Sequence, residues 1–335
     1  MKRKAACLLV AVFCFSAAAW LRRSPWQRHL VPPSPDAEEN AVTKVTEAAV
    51  DDLESRLARI RETCLKHKRA LLGAHYLGTR SNRRLGRPSH CPPRRCPIFV
   101  DRSHRVAFCF VPKVASTSVK SLFAALLNIS RPADSADAIH EIFNAEVLRV
   151  GPSHFPRSKL KTYTRAVFVR HPFERLVSAF VDKAGRPRSA EPFFYDVYWD
   201  RALAGLAGNE TTGVRMTFPL FVDYILAQPD ALWDDHWAPY YSRCEPCLFD
   251  YNVVGKLETG DRDFRTLFSR MGLASGDVVP RKNTRTVGDA GEKGGARKSA
   301  KEYFAELSSS QVMQLYRRYF YDFELFGYNL KGYLH

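Results

Sequence analysis

RVAFCFVPKVASTSVKSLFAALL, residues Arg105 to Leu127, decides how the rest of the chain is read. Val106 to Val111 is an apolar run of β-branched and aromatic residues; Pro112 closes it, a Ser/Thr cluster follows, and apolar residues then recur at helical spacing. That order predicts strand, tight loop, helix. Such a layout suits an anion, because loop amides and hydroxyls at a helix start have the positive end of the helix dipole behind them. Pro112, Lys113, Val114, Ala115, Ser116, Thr117 and Ser118 are therefore candidate phosphate-binding residues. The loop is not of the Walker A kind, since the glycines of GxxxxGK[ST] are missing and the lysine precedes the hydroxyls. An ordinary buried strand with a capped helix would give the same pattern, so the segment alone does not fix a function.

A second stretch repeats the layout. In YTRAVFVRHPFERLVSAF, Tyr163 to Phe180, a strand from Ala166 to Val169 leads to Arg170, and Pro172 suits the first turn of a helix carrying Arg175 and Ser178. Arg170 and Ser178 are spaced to approach one phosphate. With both segments in this order, the chain resembles the Golgi carbohydrate sulfotransferases of the HNK-1/chondroitin 4-O-sulfotransferase family. The resemblance implies that PKVAST contacts the 5′-phosphosulfate of the sulfate donor PAPS. It likewise implies that Arg170, His171, Pro172, Phe173, Glu174, Arg175, Leu176, Val177 and Ser178 form the 3′-phosphate segment. FPLFVDYI (Phe218 to Ile225), DDHW (Asp234 to Trp237), YSRCEPCLFDYNVVGKLET (Tyr241 to Thr259), NTRT (Asn283 to Thr286) and QLYRRYFYDFELFGY (Gln311 to Tyr328) are also similar to family segments. Departures stand at Ser116 and Ser118, where many relatives have Cys and Asn, and at His171, where an acidic residue is usual. The implied fold is α/β, a P-loop-like three-layer sandwich with a mostly parallel central sheet and the donor at the C-terminal strand ends.

The 335 residues carry 51 Lys+Arg against 35 Asp+Glu, a net charge of +16. An acidic partner follows, and nucleic acid, an anionic membrane or an anionic glycan all qualify by charge. No nucleic-acid motif accompanies the charge, so no nucleic-acid partner is expected.

Residues 1–4 read as a cytoplasmic tail and Ala5 to Leu21, flanked by Lys/Arg on both sides, as a signal-anchor transmembrane helix. Its 17 residues span roughly 26 Å, enough for a thin internal membrane. A cleaved signal peptide ending near Ala17 to Ala19 is the alternative. Residues 22–97 read as stem and connector and 98–335 as a lumenal sulfotransferase domain on a single-pass type II protein of the Golgi membrane. Within the stem, Leu53, Leu57, Ile60 and Cys64 form one apolar helical stripe. It suits a helix lying on the catalytic domain, or a short two-chain coiled coil that would make a homodimer.

Outside the apolar run stand Cys64, Cys91, Cys96, Cys109, Cys244 and Cys247, an even set suited to disulfides in an oxidising lumen, with fifteen full pairings open. A four-thiolate zinc site from Cys91, Cys96, Cys244 and Cys247 is the weaker alternative, and Cys109 reads equally as a buried thiol; no metal is expected. Asn128 and Asn209 head glycosylation sequons.

Sulfuryl transfer needs an anchored donor, charge stabilisation at the leaving phosphate, and a base for the acceptor hydroxyl. Lys113 is the candidate for charge stabilisation, and His154 and His236 are candidates for the base. His140 reads as a residue of an amphipathic helix, and Lys120 as either a second anion contact or a solvated lysine. Trp237, Tyr240, Tyr241 and Arg285 are candidate acceptor contacts, while Arg175 reads as an exposed helix arginine able to assist. The expected acceptor is a glycosaminoglycan or N-glycan, foremost the 4-hydroxyl of N-acetylgalactosamine in chondroitin, dermatan or a related chain. Two other classes compete. A P-loop-like kinase lacks its glycines, and a non-catalytic glycan-binding protein would have no need of Lys113, Arg170 and Ser178.

Overall fold

The computed structural model describes residues 52–71, 97–129, 138–141, 143, 149–150, 155–207, 215–273 and 298–334. The run Ala5 to Leu21, Cys91, Cys96, His154, Asn209 and Arg285 lie outside them. Among the described residues no helix is long and apolar enough to cross a membrane.

Among the described residues five strands form one sheet: β1 (Ile98–Asp101), β2 (Val106–Cys109), β3 (Arg149–Val150), β4 (Thr164–Val169) and β5 (Val253–Lys256), in the order β3-β1-β2-β4-β5. β2, β4 and β5 pair in parallel, while β1 runs antiparallel to both β2 and β3. The sheet is thus mostly parallel, with β1 alone reversed. Its reversal comes from a tight turn in which the Asp101 carboxylate accepts the Ser103 and His104 N–H groups at 2.8 and 3.2 Å and Arg105 adopts φ 50°.

Both faces of the sheet are covered, as parallel sheets require. On one face Phe99 meets Phe123 of α2 (Ser116–Leu126) at 4.4 Å between ring centroids. On the same face Phe168 stacks at 4.1 Å on Phe264. Gly255 makes that stack possible, because a Cβ there would fall 2.3 Å from the Phe168 ring. On the other face Cys109 is disulfide-bonded to Cys244, which ends the short helix Tyr240–Cys244.

The stripe Leu57 and Ile60 of α1 (Leu53–Lys66) is buried in the same core as the sheet. α1 also closes the β5 edge. Arg56 Nη1 donates to the Val254 carbonyl at 2.9 Å and to Asp263 at 2.5 Å, while the Asp263 carboxylate accepts the Lys256 N–H at 2.8 Å. Outward backbone groups that would otherwise template another strand are thereby satisfied. Cys64–Cys247 then fastens α1 to the body, and Lys66 pairs at 2.8 Å with Glu324 of the long helix Ser309–Phe326.

These bridges meet the expectation of disulfides and set aside its two alternatives: Cys244 and Cys247 each have a disulfide partner in place of zinc, and Cys109 is not a free thiol. Closing 135 residues, Cys109–Cys244 removes much freedom from the unfolded chain. A Cys109→Ser/Cys244→Ser variant is expected to lose about 2–4 kcal/mol in urea unfolding. Asn128 is exposed just beyond α2.

Candidate functional site

The loops leaving β2 and β4 emerge at the same end of parallel strands, so Lys113 and Arg170 share one rim. Between strand and helix the first loop takes left-handed backbone at Lys113 (φ 70°) and Ala115 (φ 50°). For residues with a Cβ this costs about 1–2 kcal/mol each, strain that is kept where a loop must hold one shape. Ala115, at the N-cap of α2, offers no side-chain oxygen to the helix start. Ser116 and Thr117 are half-buried in that first turn, and Ser118 is buried. The arrangement presents a helix N-terminus, hydroxyls and one ammonium together.

Lys113 Nζ lies 2.7 Å from Asp182 Oδ2, and the same carboxylate lies 3.4 Å from Lys183 and 3.8 Å from Arg186. Burial pushes the Lys113 ammonium below its ordinary value, against the pull of Asp182. Burial also raises the Asp182 carboxyl, but Lys113 and Lys183 outweigh it and bring the group down to about 2. Asp182 lies one helical turn beyond Ser178 on α3 (Pro172–Lys183). That i, i+4 spacing is the signal by which the sequence could have disclosed it.

Arg170 follows β4 directly. The Tyr240 hydroxyl accepts its N–H and donates to its carbonyl, both at 3.0 Å, and its guanidinium rests on Glu174 at 3.1 Å. His171 takes the N-cap role that an acidic side chain would fill: Nδ1 accepts the Phe173 N–H at 3.2 Å and Nε2 donates to the Asn329 carbonyl at 3.0 Å. Burial lowers its pKa, consistent with a neutral ring able to accept. Ser178 is half-buried, whereas Phe173, Leu176 and Val177 are core residues that hold the helix in place.

Arg175 is not an exposed arginine. It is buried, and its guanidinium donates to the carbonyls of Pro112 at 3.1 Å, Ala238 at 2.7 Å and Asp235 at 2.8 Å. With its donors so engaged, it fastens the first loop to the DDHW segment. Lys120 is likewise neither solvated nor at the surface, its Nζ lying 4.4 Å above the Phe110 ring.

Behind Tyr240 sits the fully buried Asp322, whose carboxylate accepts the Tyr240 and Tyr241 N–H groups at 2.8 Å each. Burial pushes its carboxyl up to about 7, from 3.8. A carboxyl raised in the folded state contributes stability that is complete below its unfolded pKa and is lost as pH rises through about 7. The stability of the protein relative to Asp322→Asn is therefore expected to fall between about pH 4 and about pH 7, measured by urea unfolding at both ends.

His236 Nδ1 lies 2.6 Å from Asp234 Oδ1, and Asp234 Oδ2 accepts the Tyr198 hydroxyl at 3.1 Å. Burial raises Asp234, but its contacts with His236 and Tyr198 prevail and hold it below the ordinary value. The Nδ1–H donated to Asp234 leaves Nε2 as the accepting nitrogen. His140, read as a residue of a helix, does lie in a helical stretch, and from there its Nε2 is 3.3 Å from Thr117 Oγ1 at the start of α2. Burial, with Lys120, His236, Lys183 and Lys113 nearby, pushes it down to about 3. Trp237 and Tyr240 are 2% and 0% exposed, so neither can stack on a sugar. They read as surface residues because their neighbours in sequence are polar, but Tyr319 and Asp322 of the last long helix bond their backbone instead.

The family model described as "Sulfotransferase family" matches residues 97–329. The chain is 32% identical to carbohydrate sulfotransferase 8 of Mus musculus over 321 residues, 90% of this chain and 73% of that one. It is 30% identical to carbohydrate sulfotransferase 11 of Mus musculus over 251 residues, 71% and 68% of the two chains. To carbohydrate sulfotransferase 12 of Mus musculus it is 31% identical over 261 residues, 69% and 59%. No solved structure matches it.

Proposed function

The chain belongs to the sulfotransferase family, and from that premise we propose that it transfers sulfate from PAPS to a hydroxyl of a glycan, foremost the 4-hydroxyl of N-acetylgalactosamine in a chondroitin, dermatan or related chain. The observation that carries the reading is the shared rim: Lys113, held by a left-handed loop at a helix start, beside an Arg170 loop tied to the same strand ends through Arg175 and Tyr240.

Ser116, Thr117, Ser118 and the loop amides hold the 5′-phosphate of the donor, and Arg170 with Ser178 holds the 3′-phosphate. Arg170 exchanges Glu174 for the phosphate, a stronger partner of doubled charge. His236 Nε2 takes the proton of the acceptor hydroxyl while Asp234 steadies the imidazolium that forms. The acceptor oxygen bonds to sulfur as the bond from sulfur to the bridging oxygen breaks, and Lys113 offsets the charge growing on that oxygen and its phosphate. Adenosine 3′,5′-bisphosphate leaves. No residue in this scheme calls for a metal, and no group of side chains suited to one occurs among the described residues.

We place the protein in the Golgi membrane, held by Ala5 to Leu21 with the domain lumenal; the disulfides Cys64–Cys247 and Cys109–Cys244 support an oxidising compartment, and the exposed Asn128, which heads a sequon, supports passage through the secretory route. The test is transfer of label from radioactive PAPS by the purified protein, offered desulfated chondroitin, desulfated dermatan and N-acetylgalactosamine-terminated glycans side by side. Label in one of these, lost in Arg170→Ala, supports the reading. PAPS binding without label in any glycan overturns the acceptor, and no PAPS binding overturns the donor site.

A further inference from the structure

Resting on the reading of the acceptor as a glycan, we infer that the turn from Phe193 to Asp200 is a sugar-binding surface, which holds a pyranose of the acceptor chain next to the residue that is sulfated. Phe193 is 60% exposed, although it is a large aromatic on a described helical turn, and Val197, four residues on, is 50% exposed. At that spacing the two side chains share one face. Val197 lies within Tyr195–Trp199, which is a π-helix. Such insertions cost hydrogen-bond geometry and cluster at functional sites.

This face is continuous with the reacting groups. The Phe193 ring lies edge-on to Phe194 at 5.5 Å, and Phe194 in turn meets the His236 ring at 5.4 Å, with Lys183 Nζ 5.1 Å above it. Two ring contacts therefore separate Phe193 from the proposed base. Lys183 also shares Asp182 with Lys113, so the same segment borders both the acceptor side and the donor side of the site.

The chemistry around Phe193 is that of a sugar site rather than of an anion site. Arg188 forks onto the exposed Asp196 and the half-buried Asp200, while Arg186 and Lys183 pair with Glu191. The local cations are thus matched by carboxylates, so in spite of the chain's charge of +16 the patch is suited to grip a pyranose by its ring face and hydroxyls, not by a carboxylate. A pyranose has an apolar C–H face, which fits the negative face of an aromatic ring, and a rim of hydroxyls, which fits carboxylates and guanidinium groups.

The experiment is titration of the full-length protein, loaded with adenosine 3′,5′-bisphosphate, with an unsulfated chondroitin tetrasaccharide, followed by calorimetry. Phe193→Ala is expected to weaken tetrasaccharide binding about tenfold, Phe193→Tyr to stay within about twofold of the parent, and Val197→Glu to weaken binding by a similar tenfold. Affinity for adenosine 3′,5′-bisphosphate is expected to be unchanged in all three, which also verifies their folding. Equal tetrasaccharide binding by parent, Phe193→Ala and Val197→Glu overturns this surface and leaves the proposed function standing. Failure of the parent itself to bind the tetrasaccharide, with the bisphosphate still bound, overturns the acceptor reading and this surface with it.

Discussion

Lys113→Ala is expected to reduce sulfate transfer about a hundred- to a thousandfold, the usual cost of removing one preorganised donor from a developing anion. The loss should fall on turnover more than on donor affinity, because the helix start and the hydroxyls of Ser116 and Thr117 remain to grip the 5′-phosphate. Stability should change little. Asp182, left without Lys113, still has Lys183 at 3.4 Å and Arg186 at 3.8 Å, so no carboxylate is stranded. Alanine also tolerates the left-handed backbone no worse than lysine does. Asp182→Asn provides the contrast, since it releases the lysine but keeps its charge, and its effect on turnover should stay within about tenfold. Lys113→Arg is not a neutral exchange, since a planar fork cannot occupy the space of a compact ammonium beside Asp182. Steady-state rates with labelled PAPS, alongside urea midpoints for each variant, check all three. A Lys113→Ala protein that keeps a tenth or more of parental turnover would remove the residue from the chemistry.

The parts of this site that were legible in the sequence are those encoded locally. Val106 to Val111 and Ala166 to Val169 announce strands because consecutive residues are apolar and β-branched, and the Ser/Thr cluster and Pro172 announce helix starts within a few residues of them. What the sequence hid is set by partners far along the chain. β5 is four residues long and shows itself as a strand only by its pairing with β4. Arg175 looks like a surface arginine until the carbonyls of Pro112, Ala238 and Asp235 are brought around it, 60 or more positions away. Tyr240 and Trp237 sit among polar letters, but Asp322 and Tyr319 reach across from the last long helix to satisfy the backbone at those positions, and this allows both rings to be buried. The cysteine pairings are of the same kind: an even count says that bridges form, and only the packing of α1 and the helix Tyr240–Cys244 against the sheet says which.

His236 is where local and distant information meet, and its replacement is the second large effect. His236→Gln is expected to lower turnover about a hundred- to ten-thousandfold, the range that general-base catalysis supplies, with the affinity for adenosine 3′,5′-bisphosphate unchanged. The DDHW letters alone offer two carboxylates to the imidazole. The structure divides their work: Asp234 takes His236 Nδ1 at 2.6 Å, while Asp235 pairs with Arg243. Asp234→Asn should therefore cost about ten- to a hundredfold, because an amide can hold the ring but cannot offset the imidazolium charge, whereas Asp235→Asn should act through stability instead. Separating these outcomes needs turnover and urea midpoints measured on the same preparations. Because His236 also packs edge-on against Phe194, His236→Phe keeps much of that contact and should be as inactive as His236→Gln while unfolding near the parental midpoint. Turnover within tenfold of the parent in both variants would place the base on another histidine. His140, 3.3 Å from Thr117, would then be the one within reach of the donor loop among the described residues.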